Sequence, residues 1–350
     1  MLSSNAALRL AVSELHTTPT KILANAKSRW LERRGLLVHV IRADGSCGLG
    51  EASPLPDYSP DTLEQCREYL KGLQLFGEQE LGLLKIQELV SSIPEELPAA
   101  RFAIECALLD LLAQERNESV AVTIGGGTNS ADRCALIDLE DPLRSVDALL
   151  ARGVRCGKLK VGRRWAGEFD TIVALRKHLP SFGLRLDVNG TWSVEQALRN
   201  LQSLAGLDIE FVEQPVAPAK MSQLVGCPVP LAADESMRSS LGRAALAPLI
   251  ESKDLVAIVL KPTILGGLVA CKKYKRWAQA QGVASIASHC FEGVVGTAAV
   301  GELAVATRGS YAAGVDCHDA LAPQSAAQII QLTEPGIRSH SPGLGIALPQ

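Results

Sequence analysis

From residue 133 onward, short apolar runs that end on a polar residue alternate with helical stretches of roughly 10 to 15 residues, the rhythm of parallel strands joined by helices. RCALIDL, GKLKVG, LRLDVN, DIEFVEQP, VPLAADES, AIVLKP, VASIAS and YAAGVDC read as strands one to eight. Eight such units in roughly 190 residues point to a closed (β/α) barrel more than to an open sheet. After strand three, Ser193 and Gln196 make a capping-box pattern, and Ala197, Leu198, Leu201 and Leu204 fall on one apolar helix face.

Upstream the pattern changes. SRWLERRGLLVHVIRADG alternates as a strand does and ends in an Asp44-Gly45 turn, whereas Ala99 to Glu115 carries apolar residues at helical spacing, Phe102, Cys106, Leu109 and Ala113 among them. This predicts an α+β domain over residues 1–128. The Gly-, Thr-, Asn- and Ser-rich stretch from Ile124 to Arg133 reads as the boundary to a barrel domain over 129–320.

Composition narrows the function classes. With 350 residues, 47% of them hydrophobic, there is enough apolar material for two cores. A formal charge of −3 leaves no general basic field, so no nucleic-acid partner is expected. No uncharged apolar run of about 18 residues occurs and MLSSNAALRLAVSEL lacks a leader pattern, so neither a membrane partner nor export is expected and a cytoplasmic location is. The nine cysteines contain no C-x-x-C pair and read as reduced packing residues.

Candidate chemistry lies at the strand ends, where a β/α barrel builds its pocket. Lys160, Asp187, Glu213, Asp234 and Lys261 end strands two to six, at intervals of 27, 26, 21 and 27 residues, so all five face one mouth. Three carboxylates there repel one another unless a cation neutralises them, and oxygen-only ligands favour Mg²⁺ or Mn²⁺. Lys158 and Lys160, two apart on strand two, point to the same side. A neighbouring ammonium and desolvation both lower a lysine pKa, which makes Lys160 the candidate base, tuned by Lys158, which also pairs with a substrate carboxylate. On strand three, Arg185 either binds a substrate carboxylate or serves as an internal counter-ion to the acids, and Asn189 hydrogen-bonds the metal site or the substrate.

In this order KLKVG, LDVNGTWS, FVEQP, ADES, LKPTILGG and ASHCFEGVVG resemble the enolase superfamily, specifically the muconate-lactonising subgroup with lysines on strands two and six. GLGEASPLPDYS resembles the specificity loop of that family's capping domain and FAIECALLDLLAQ its helix before the barrel, so the likeness covers nearly the whole chain. RRGLLVHV, LRLDVN and FEGVVGTAA are most similar to the dehydrating lyases of the subgroup. The resemblance implies a TIM-like (β/α)7β barrel with an α+β capping domain, onto which residues 321–350 pack back. It implies Mg²⁺ on Asp187, Glu213 and Asp234, a small-molecule carboxylate substrate, and Lys160 as the base. Lys261 would act electrostatically in a lyase, or as a second acid-base lysine in a racemase.

Three features depart from the family pattern. Strand seven has Ser288-His289-Cys290 where a second Ser is common. Ser288 and His289 are expected to line the substrate pocket, His289 as a hydrogen bonder, because acid-base work by it would need an Asp where Lys261 stands. Gln214 follows Glu213 where a second acid is common, and strand eight, with Asp316 and Asp319, lacks the Asp-x-Asp that holds a dipeptide ammonium.

Overall fold

The structure is a computed structural model that describes residues 7–19, 23–24, 28–127, 129–316, 336–339 and 342–346. Three antiparallel strands, Arg9–Thr17, Arg33–Ile41 and Cys47–Ala52, form a sheet with the second in the middle. Alternation sets its faces: Leu36, Val38 and Val40 are fully buried while Leu37, His39 and Ile41 are half-buried on the other side. At the expected turn Gly45 adopts φ +89° and the Asp44 carboxylate accepts from the Ser46 N–H and hydroxyl.

The helix Pro98–Glu115 starts with Pro at its first turn and is buried on nearly every face, so its sequence lacks a polar stripe. It lies directly on the strand Cys47–Ala52. A Cβ at Gly48 would come within 2.0 Å of the Ala107 carbonyl, and one at Gly50 within 1.9 Å of the Ala103 carbonyl. Only glycines at both positions allow that approach.

Seven parallel strands follow in sequential order: Cys134–Leu136, Cys156–Lys160, Gly183–Asp187, Phe211–Glu213, Leu231–Ala233, Leu255–Leu260 and Ala284–Ala287. Among the described residues the expected eighth forms isolated bridges rather than a regular strand, and these close the ring. Ala313 bridges Arg133 beside strand one and Gly314 bridges Ser288 beside strand seven, with Gly314 N–H donating to the Ala287 carbonyl. The fold is therefore an α/β barrel with a capping domain. On the helix Val194–Ser203 the Ser193 capping box is present, but Leu198 is 43% exposed and only Ala197, Leu201 and Leu204 of the expected face are buried. Eight of the nine cysteines are described and all eight are free thiols; Cys317 lies outside the described residues.

Capping-domain acids seat on barrel helix N-termini, where unpaired N–H groups favour an anion. Glu51 accepts from Gly293 and Gly296 N–H at the start of Val294–Ala306, and Glu105 from Leu268 and Val269 N–H at the start of Leu268–Gln279. Gly267, at φ +120°, leaves room for Glu105, whose Oε2 would lie 2.3 Å from an added Cβ. The described part of the tail returns to both regions: Gly336–Arg338 pairs antiparallel with the strand Ser130–Asp132, and Leu344 N–H donates to Asp110 on the helix Pro98–Glu115. The rest of 321–350 lies outside the described residues, as do His318 and Asp319.

Candidate active site

The parallel register brings the strand-end charges side by side. Lys158 pairs with Arg185, Lys160 with Asp187, and Asp187 with Glu213 across strands two, three and four. On strand three Leu184, Leu186 and Val188 face the helices while Arg185, Asp187 and Asn189 line the central cavity, as period-two alternation requires. That cavity is also lined by Lys158, Lys160, Glu213, Lys261, Ser288 and His289, so nine of the ten expected site residues share it; the tenth, Asp234, reaches it through its contact with Lys261.

Two lysines neutralise the acids. The Lys158 ammonium lies 3.1 Å from Asp187 and 3.2 Å from Glu213, with all three side chains largely buried. Burial by itself lowers the Lys158 pKa, but Asp187 and Glu213 outweigh it and hold the group above its ordinary value. Lys261 donates to Asp234 Oδ2 at 2.5 Å and to the Tyr58 hydroxyl at 2.7 Å. Its pKa is also held up, against desolvation, by Asp234 and Tyr58. Lys160 is different: desolvation and the nearby Lys158 and Lys261 outweigh Asp187 and bring it down to about 8. Its ammonium packs over the face of Phe291, 4.9 Å from the ring centre.

Burial and the carboxylates of Asp187 and Asp234 push Glu213 up to about 7, although Lys158 works the other way. Among the described residues no three His, Cys, Asp or Glu side chains converge closely enough to hold a metal as they stand, with Lys158 reaching both Asp187 and Glu213. The donor set nonetheless fits a hard divalent cation. It offers three acids, each at most 4% exposed, with oxygen atoms only, at adjacent strand ends.

Other expected residues take more particular positions. Arg185 donates to Glu210 at 2.6 Å and to the Ala312 carbonyl at 2.8 Å, and its guanidinium lies against the rings of both Phe211 and Tyr311. It forms the cavity floor, with its charge spent on Glu210 rather than on the three acids. Asn189 sits at φ +51°, a conformation Asn tolerates, and its N–H donates to Asp187 Oδ1. The Ser288 hydroxyl donates to the Gly314 carbonyl, which ties it to barrel closure. His289 accepts from the Phe291 N–H through Nδ1 and meets that ring edge to face. Gln214, fully buried, uses both ends of its amide: Nε2 donates to the Val216 carbonyl and the Ser236 hydroxyl, and Oε1 accepts from Asp234 and Ser236 N–H. A carboxylate there would have nothing to donate.

Sequence reasoning did not single out Tyr58, Phe291, Arg238 or Glu235. Tyr58 belongs to a loop that was recognised, but its contact with Asp234 spans 176 positions and joins two domains. Glu235, next to Asp234, is raised to about 8 by burial and by the Asp234 charge.

Comparison with known proteins agrees with this geometry. Residues 142–350 match the family described as enolase C-terminal domain-like, and residues 17–111 match the MenC N-terminal domain. The o-succinylbenzoate synthase of Pasteurella multocida is 30% identical over 307 residues, covering 84% of each chain. An aromatic dipeptide epimerase of Herpetosiphon aurantiacus is 32% identical over 59% of this chain and 61% of its own. Among solved structures, the L-Ala-D/L-Glu epimerase from Bacillus subtilis superposes with a TM-score of 0.84 at 23% identity, over 97% of this chain and 98% of that one. A dipeptide epimerase from Methylococcus capsulatus, complexed with Mg and a dipeptide, gives 0.83 at 25%, over 97% and 99%. A match over more than half of the chain, from residue 142 onward, joined to a relative that spans both domains, makes this chain an enzyme of the enolase superfamily, a lyase or isomerase of its o-succinylbenzoate synthase-like branch.

Proposed function

We propose that the protein dehydrates 2-succinyl-6-hydroxy-2,4-cyclohexadiene-1-carboxylate to o-succinylbenzoate, a step of menaquinone biosynthesis. The observation that carries this reading is the hold on the second lysine at the mouth. Lys261 is bound by the Asp234 carboxylate and the Tyr58 phenol, beside a cavity that Lys160 and the acids Asp187 and Glu213 also line.

Asp187, Glu213 and Asp234 would hold Mg²⁺, or Mn²⁺ in its place, which when bound neutralises charge that develops on the substrate carboxylate. Lys160 takes the proton α to that carboxylate. Lys261, kept as an ammonium, stabilises the charge electrostatically without moving a proton. The protonated Lys160 then assists the neighbouring hydroxyl to leave as water, and the ring becomes aromatic. Lys158, between Asp187 and Glu213, holds the acids apart and completes the positive field; Asn189, Ser288 and His289 line the substrate pocket, with Arg185 as its floor.

An isomerase reading, as an N-acylamino acid racemase or muconate cycloisomerase, needs Lys261 to exchange a proton as readily as Lys160 does. Its bonds to Asp234 and Tyr58 oppose that. The test is an ultraviolet assay of purified protein with the cyclohexadiene, with Mg²⁺ and then with chelator. Metal-dependent appearance of the aromatic product supports the lyase. Absence of product, together with solvent-deuterium incorporation at the α-carbon of N-succinylamino acids, replaces it with the racemase.

A further inference from the structure

Tyr58 brings the capping domain into contact with the barrel's acid-base machinery. Its loop is a compact turn: Tyr58 and Ser59 N–H donate to the Leu55 carbonyl, and the Ser59 hydroxyl accepts from Leu55 N–H. The barrel grips that turn through Arg238, which donates to the Tyr58 carbonyl at 2.8 Å and lies over its ring at 3.5 Å. The Trp30 indole also binds this turn, donating to the Pro56 carbonyl. Tyr58 is 8% exposed, and its hydroxyl donates to Asp234 Oδ2 at 2.9 Å while accepting from Lys261.

Lysine has four rotatable side-chain bonds and a compact charge, so one ionic contact fixes its nitrogen loosely. A second acceptor set at an angle to the first restricts it. Donation by the phenol to Asp234 also turns an oxygen lone pair toward Lys261, so a single hydroxyl orients both partners. We propose that Tyr58 is a positioning residue for Lys261, delivered by the capping loop and clamped by Arg238, so that seating of this loop and placement of the second lysine are one event. The proposal rests on the dehydration reading for its kinetic consequence, though the contact itself does not.

Tyr58→Phe keeps the ring, the Arg238 stack and the backbone bond and removes only the hydroxyl. A hydrogen bond to a charged group corresponds to roughly 10- to 100-fold, so kcat for the dehydration should fall by that factor with KM changed less than about threefold. In a Lys261→Ala background the same substitution should cost less than about threefold, because its target is gone. Equal losses in both backgrounds, or kcat within about twofold of wild type, overturn the proposal. Acylation of metal-free protein with an N-hydroxysulfosuccinimide acetate ester, followed by mass spectrometry, gives a readout independent of turnover. Lys261 should label at least about threefold faster in Tyr58→Phe with Lys158 unchanged; equal Lys261 labelling overturns the proposal. If wild-type protein forms no aromatic product, the dehydration reading falls and labelling alone decides the role of Tyr58.

Discussion

Replacing Lys158 with Met preserves most of the side-chain stem and deletes the ammonium that lies 3.1 Å from Asp187 and 3.2 Å from Glu213. Exposure of 16% for the lysine and 4% and 3% for the acids leaves water little opportunity to replace it. Breaking a buried pair by removing one partner costs about 3 to 5 kcal/mol, because the remaining charge is uncompensated. With an unfolding entropy of about 2.1 cal/mol/K per residue, that lowers the thermal midpoint of a chain of this size by roughly 4 to 7 °C. Differential scanning calorimetry in chelator measures it. Glu213 is already raised to about 7 by burial and by its fellow acids, and loss of Lys158 raises it further. An acid whose folded pKa lies above its unfolded one loses stability as pH rises between the two, so the gap from wild type should open as pH climbs through about 7 and narrow near pH 5. Saturating Mg²⁺ restores a counter-charge and should recover more than half of the deficit. A metal-free midpoint within about 1 °C of wild type at pH 8 would refute the assignment of Lys158 as the counter-ion of the acids.

Two further substitutions probe other parts of the site. Lys160→Ala should lower turnover by at least about 10³-fold with Mg²⁺ affinity by calorimetry nearly unchanged, and the wild-type kcat/KM should rise with pH and level above about 8, since a lowered lysine pKa supplies the neutral base from there upward; retained activity would exclude Lys160 as the base. Gln214→Leu orphans the buried N–H groups of Asp234 and Ser236, at about 1 to 3 kcal/mol each, and should both lower the melting midpoint and weaken Mg²⁺ binding; unchanged metal affinity would show that Asp234 is positioned without it.

The site was legible in the sequence to the extent that it depends on strand register. Parallel strands of a barrel end on one face, so a charge at the end of each of five successive strands could be assigned to one mouth without knowing any contact. The side of each strand was legible for the same reason, as Arg185, Asp187 and Asn189 show. Height along the barrel axis was not, because alternation gives a side chain's direction and not its reach. Arg185 bends to Glu210, at the opposite end of strand four from Glu213, and becomes floor rather than counter-ion to the acids. Lys158 was expected to tune Lys160 and to pair with a substrate carboxylate; it does line the cavity, and there its ammonium pairs with Asp187 and Glu213, contacts that alternation along one strand does not reveal. Tyr58 was hidden for a different reason: contacts between domains follow no period in the chain. Gly267 was hidden likewise: only the approach of Glu105 from the other domain shows why a side chain has no room there.

The seating of Glu51 and Glu105 also bears on the order of synthesis. Both acids belong to the first third of the chain, and the N–H groups that receive them, at residues 268–269 and 293–296, are made only in its last third. A nascent capping domain that emerges first therefore carries two carboxylates shaped for burial with no donors to meet them. Its helix Pro98–Glu115 cannot be fully enclosed until the ribosome has delivered strands six and seven. The two halves are thus obliged to finish folding together, and a truncated capping domain is expected to behave as an incomplete fragment, whereas the two pieces, supplied separately, hold the complementary charges needed to reassemble.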